Sequence, residues 1–160
     1  MTQPQAITPN LRPLINAFIA REWHGTDMLI RGEVVDMTCL DGFVWLEPDS
    51  ENIRGLITYF IRDGVCEIVS LNSQSEARGV GTAMLNLVID AARQQNCSRV
   101  QLLTTNDNLN AIGFYQKRGF QLAGVNLWAI DRERELKPSM PLIGQNGIPM
   151  HHEIEFEMEL

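Results

Sequence analysis

Apolar residues at Leu11, Leu14, Ile15, Phe18 and Ile19 recur at the spacing of one helical face, so the first regular element is a helix following a polar tail at 1–10. Thr8 or Asn10 can cap it, and residues 23–25 end it. The period then shortens. Segments 28–38, 43–47, 54–62 and 65–71 are rich in β-branched and aromatic residues, with turn-forming pairs Asp41-Gly42, Pro48-Asp49 and Asp63-Gly64 between them. Asp63-Gly64 is short enough to join the last two as an antiparallel hairpin. Helical spacing returns over 80–96, with Met84, Leu85, Val88, Ile89 and Ala92 on one face. A short apolar strand follows at 99–105, then a helix at 109–118 closed by Gly119 as a left-handed cap, then a strand at 120–130. Residues 131–150 contain Pro138, Pro141, Pro149, Gly144 and Gly147 and read as a loop. From Glu153 the chain alternates acidic and apolar residues to Leu160, the pattern of a strand whose acidic row is a solvated sheet face.

This order predicts an α/β (α+β) fold, a mixed and mostly antiparallel sheet with helices on both faces. At 160 residues the chain is long enough for one domain, 1–160, with its own core. Thirteen Lys and Arg against twenty Asp and Glu give a net charge of −7, which argues against nucleic acid or an anionic membrane surface as a partner. Cys39, Cys66 and Cys97 are odd in number and form no CxxC pair, so reduced, mostly buried thiols are expected, consistent with a cytoplasmic protein. No signal-peptide pattern opens the chain and no apolar run nears 18 residues. His24 and His151 read as surface residues, and no metal site is expected.

Two stretches carry chemistry. The first, Glu76-Ala77-Arg78-Gly79-Val80-Gly81-Thr82, lies between a strand and a helix. Glycines let backbone amides approach an anion, and the first amides of a helix have no intrahelical partner, so such a junction can hold a phosphate. Thr82 can add a hydroxyl and Arg78 a charge. A P-loop is excluded because no Gly-Lys-Ser/Thr follows. A tight strand-to-helix turn remains the competing reading. The second stretch places Asn108, Ala111 and Tyr115 three and four residues apart on one helical face, followed by Gly119-Phe120. An amide and a phenol there can flank an extended polar ligand, or serve only as a helix cap and a core aromatic.

Together the two stretches resemble the GCN5-related N-acetyltransferase (GNAT) family, whose acetyl-CoA loop reads Arg/Gln-x-x-Gly-x-Gly/Ala and whose later motif reads Asn-x-x-Ala-x-x-x-Tyr before Gly-Phe. The likeness is close from Cys66 to about Val125. Glu76 departs from it, standing where the family has Arg or Gln. The resemblance implies a central sheet of about six to seven strands, acetyl-CoA as cosubstrate and acetyl transfer to a primary amine. It implies cofactor binding by Leu71, Arg78, Gly79, Val80, Gly81, Thr82 and Asn108, with the main chain of Leu71 facing the cofactor. It also makes Tyr115 the acid that protonates the leaving thiolate.

A lysine-like ammonium has a pKa of about 10.4, so the reaction needs a base or a desolvating pocket. Glu67 is the candidate base: it lies on the strand before the glycine loop and shares the face of Leu71 by period two. A water chain, or a structural hydrogen bond for Glu67, are the alternatives. The acceptor should be met by the 20–27 and 131–150 segments, and for the latter a substrate wall and a homodimer contact both stay open. A non-catalytic CoA-binding or sensing module with the same fold is the alternative function.

Overall fold

A computed structural model describes residues 2–74 and 79–160. The chain divides into two compact units, Met1–Ser98 and Arg99–Leu160. The first contains β1 (Gln5–Ala6), α1 (Arg12–Glu22), β2 (Asp27–Ile30), β3 (Glu33–Asp36), β4 (Asp41–Leu46), β5 (Ile53–Arg62), β6 (Val65–Ser73) and α2 (Val80–Gln94). β1, β4, β5 and β6 pair in that order, every pair antiparallel. The single segment expected at 28–38 is instead two strands, β2 and β3, forming a separate two-stranded ribbon that turns at Arg31-Gly32.

β5 and β6 join through Asp63 and Gly64, both at positive φ (53° and 71°), as a two-residue hairpin turn demands. Their apolar rows bury Leu56, Ile57 and Ile68, and α2 covers this sheet with Met84, Leu85 and Val88. Removing each such side chain from water stabilises the unit by about 1.5–3 kcal/mol. Gly55 of β5 permits this packing: a Cβ there would stand 2.6 Å from Val80 Cγ1 in the first turn of α2. One irregularity interrupts β6. Thr58 pairs with Ser70 and Tyr59 with Ile68, which leaves Val69 as the extra residue of a β-bulge.

The second unit contains β7 (Arg99–Thr105), α3 (Leu109–Lys117), β8 (Gln121–Asn126), α4 (Ala129–Leu136) and β9 (Glu153–Glu159). Its strands run β7-β9-β8, both pairs antiparallel. Phe156 of β9 is fully buried against Tyr115 of α3, and Phe120 joins them. Gly119 ends α3 at φ 92°, as expected of a left-handed cap.

Helix α4 corrects the loop expected from residue 131. Ala129-Ile-Asp-Arg-Glu-Arg-Glu-Leu136 is built of good helix formers, but only Ala129 and Ile130 are buried, so no apolar stripe marks it. The acidic row of β9 is also not plainly solvated. Glu153, Glu155 and Glu157 are half-buried, and Asn126 of β8 donates to Glu155 at 3.2 Å. The chain is mixed α/β with mostly antiparallel strand pairing, as its pattern predicted.

Candidate functional site

Four expected ligand-binding positions lie at the start of α2. Gly79 occupies its N-cap at φ 84° and ψ −7°, a left-handed conformation that disfavours any other residue. Among the described residues a Cβ there would meet nothing within 4 Å, and the backbone angle by itself requires the glycine. Gly79 has no side chain to cap this helix start, and the dipole of 15 residues points its positive end there. Val80 is buried into the core and Gly81 is buried beside it, so what they present to a ligand is backbone. Thr82 is half-buried in the same turn. Arg78 and Glu76 lie outside the described residues.

β6 delivers the candidate base. Glu67 is 2% exposed, and Arg31 at the tip of the β2–β3 ribbon sets its Nε 3.3 Å from both carboxylate oxygens. The bulge overturns the shared face expected for Glu67 and Leu71. Glu67 pairs across to Phe60 and Leu71 to Ile57, which are three residues apart on β5 and so face opposite ways. Leu71 therefore lies on the sheet face of Ile57, and Glu67 on that of Thr58 and Leu56. With Glu67 on that face are Ser70, whose Oγ lies 2.6 Å from Thr58 Oγ1 in a buried pair, and Asn72, whose Oδ1 accepts from Trp23 Nε1 at 2.9 Å. The sequence pointed to none of these partners. Arg31 lay unmarked inside the single segment expected at 28–38. A cavity of about 500 Å³ adjoins Asn72 and Gln74, walled by Leu14, Phe18 and Arg21 of α1 and by Arg54 of β5.

In the second unit, Asn108 caps α3: its Oδ1 accepts from the Ala111 amide at 3.1 Å. Tyr115 is buried among Phe114, Phe120 and Phe156, and that burial pushes its phenol well above the usual range. Both residues thus perform the structural tasks that competed with ligand binding. The turn before α3 fastens the C-terminal loop. Asn106 Oδ1 accepts from the amides of His151 and His152, both at 2.9 Å, and buried Asp107 accepts from the Gln145 amide at 2.7 Å. Gly144 fits against Asp107 because it has no Cβ.

His151 is half-buried rather than a plain surface residue, 2.9 Å from Asp131. Burial raises the Asp131 carboxyl, but the His151 and Arg134 contacts outweigh it and hold the group below the ordinary range. Glu133 shows the opposite balance: burial and a hydrogen bond with Glu153 push it up to about 8. Cys66 and Cys97 are buried as expected, whereas Cys39 is exposed. Among the described residues no His, Cys, Asp and Glu group is placed for a metal ion, and no helix is long and apolar enough to cross a membrane.

A left-handed glycine thus opens a helix that follows a bulged antiparallel strand. Residues 17–120 match the Acetyltransferase (GNAT) family, and the chain belongs to that family. It is 42% identical over 153 residues to the uncharacterized protein YdhI of Bacillus subtilis (strain 168), covering 94% of this chain and 95% of that one. Its fold is similar to that of the IAA acetyltransferase from Bacillus cereus ATCC 14579, with TM-score 0.71, 18% identity and full coverage of both chains. It is similar also to a Bacillus subtilis acetyltransferase in complex with CoA, with TM-score 0.68, 16% identity and coverage of 100% and 99%.

Proposed function

We propose that this chain is a cytoplasmic, single-domain enzyme that moves the acetyl group of acetyl-CoA to a primary amine by direct attack. The observation that carries the reading is Gly79, left-handed at the start of α2, the helix that follows the strand on which Glu67 is buried. A pyrophosphate suits that helix start: its dipole is favourable, and among the described residues nothing stands within 4 Å of where a Cβ on Gly79 would be. A chain of net charge −7 then binds a polyanion through local donors, with Arg78 offsetting Glu76.

When bound, acetyl-CoA supplies an activated acetyl thioester. The main chain at Leu71 pairs with the pantetheine arm, and Asn108 offers it the amide nitrogen that capping does not use. Glu67 takes the proton from the acceptor ammonium, freeing the lone pair for attack. The Tyr115 hydroxyl returns a proton to the departing sulfur. Burial suits Tyr115 to that task, because it keeps the phenol protonated at neutral pH. The net negative charge favours cationic amines on approach.

The test is free-thiol release from acetyl-CoA across a panel holding a polyamine, a lysine peptide, a peptide with a free N-terminus and an aminoglycoside. Release with one class is the expected result. Calorimetric CoA binding with no release from any class would overturn the enzyme and favour a CoA-binding module.

A further inference from the structure

We infer that Arg31 is the positioning residue for Glu67, an assignment that rests on the proposed role of Glu67 as base. Glu67 is 2% exposed, and a carboxyl so buried gains a proton at neutral pH unless a cation faces it. A protonated acid cannot accept the ammonium proton. Arg31 supplies the cation with its Nε at 3.3 Å from both Oε atoms, so that one nitrogen is shared equally by the two carboxylate oxygens. The proton balance is simple: an N–H bond of the acceptor ammonium breaks, an O–H bond of Glu67 forms, and the proton passes on to solvent. Beside Arg31 the neutral acid returns readily to carboxylate, which resets the base.

The fold invests in this placement. Arg31 is not glycine yet sits at φ 50°, followed by Gly32 at φ 83°, in a two-residue turn closed by Ile30 opposite Glu33. The β2–β3 ribbon belongs to no larger sheet, and Asp27, Glu33, Val34 and Asp36 are exposed along it. Among the ties at its tip are Arg31 to Glu67 and Glu33 to Arg62, the latter at 2.7 Å. The second pair has both side chains about 60% exposed, so solvent screens it. It is a built-in control, holding the same ribbon without touching the base.

The experiment compares Arg31→Gln, Arg31→Lys, Arg62→Gln and Glu67→Gln. One arm follows thiol release from acetyl-CoA with spermidine, tyramine and a lysine peptide as acceptors. The other arm needs no acceptor: it reads the carboxyl signal of Glu67 in 13C-glutamate-labelled protein at pH 7, assigned by its loss in Glu67→Gln. For Arg31→Gln the signal should move to the protonated position and kcat fall by about 10- to 100-fold, with the acetyl-CoA KM within about twofold. Arg31→Lys, which keeps the cation and the fold, should restore most of both, and Arg62→Gln should change neither. A folded Arg31→Gln whose Glu67 stays ionised and whose kcat is unchanged overturns the inference. So does a loss that Arg31→Lys leaves unrestored. If Glu67→Gln retains full kcat, the base reading itself fails. If Glu67→Gln is impaired and Arg31→Gln is not, only the role of Arg31 fails.

Discussion

Gly55→Ala tests whether the grip on CoA depends on how closely α2 lies against β5. The added methyl would stand 2.6 Å from Val80 Cγ1 and 3.3 Å from Met84 Cγ, where ordinary carbon contacts need about 3.5–4.0 Å. Val80 is β-branched and 1% exposed, so its methyl cannot swing away, and the first turn of α2 must retreat by about 1 Å. Overpacking of this kind costs about 1–3 kcal/mol. At about 2–4 °C per kcal/mol for a chain of this size, Tm should fall by about 4–8 °C for a mid-range cost. On the proposed reading, the retreat would also stretch the amide-to-phosphate bonds beyond hydrogen-bonding range. Losing one bond to a charged group costs about 1.5–3 kcal/mol, which weakens CoA binding by about 10- to 150-fold in calorimetry. Gly55→Ala combined with Val80→Ala removes the offending methyl but keeps the amide, and should recover most of the affinity. If Gly55→Ala lowers Tm as expected yet binds CoA within twofold of the native protein, the amides of α2 do not hold the pyrophosphate.

Tyr115→Phe keeps the ring in its aromatic cluster, so calorimetric CoA affinity should change less than about twofold while kcat falls by about 100-fold or more; unchanged turnover would remove it as the acid. Glu133 titrates at about 8 in the fold against 4.5 for the free group, so the folded state holds the extra proton and stability falls as pH rises between those values. Glu133→Gln should flatten that slope in urea titrations, being neutral near pH 4 and, after discounting for solvent at this half-buried pair, about 1–2 kcal/mol more stable than the native protein at pH 9. An unaltered slope would break the Glu133–Glu153 argument. Burial pushes the Cys66 thiol up to about 12 and raises Cys97, so a thiol reagent at pH 8 should modify Cys39 alone in the native protein and three thiols after denaturation. Fast reaction of two or more native thiols would contradict that burial.

Much of the frame was legible because it depends on local rules. The Asp63-Gly64 turn, the cap at Gly119, the amphipathic α2 and the alternating β9 each announce themselves by residue type and period. The family resemblance rested on residues that the backbone justifies, above all Gly79 with its left-handed φ. What stayed hidden depends on tertiary pairing. No residue type marks Val69 as a bulge, yet that one insertion turns Glu67 and Leu71 to opposite faces. α4 hid because Arg134 holds it in place through backbone carbonyls at Met140, Pro141 and Met150 rather than through an apolar stripe. Arg31 and Glu67 lie 36 positions apart, and only the ribbon brings them together.

The fastening of the C-terminal loop by Asn106 and Asp107 bears on protein engineering. The same turn that clasps residues 144–152 leads directly into the cap of α3, so the loop and the helix carrying Tyr115 are one mechanical piece. A transplanted loop would have to bring a residue without a Cβ to the position of Gly144, and place its own amides where those of Gln145, His151 and His152 now dock. Chimeras that exchange this segment with its two anchoring side chains included should keep their helix in place, and those cut between the clasp and the loop should not.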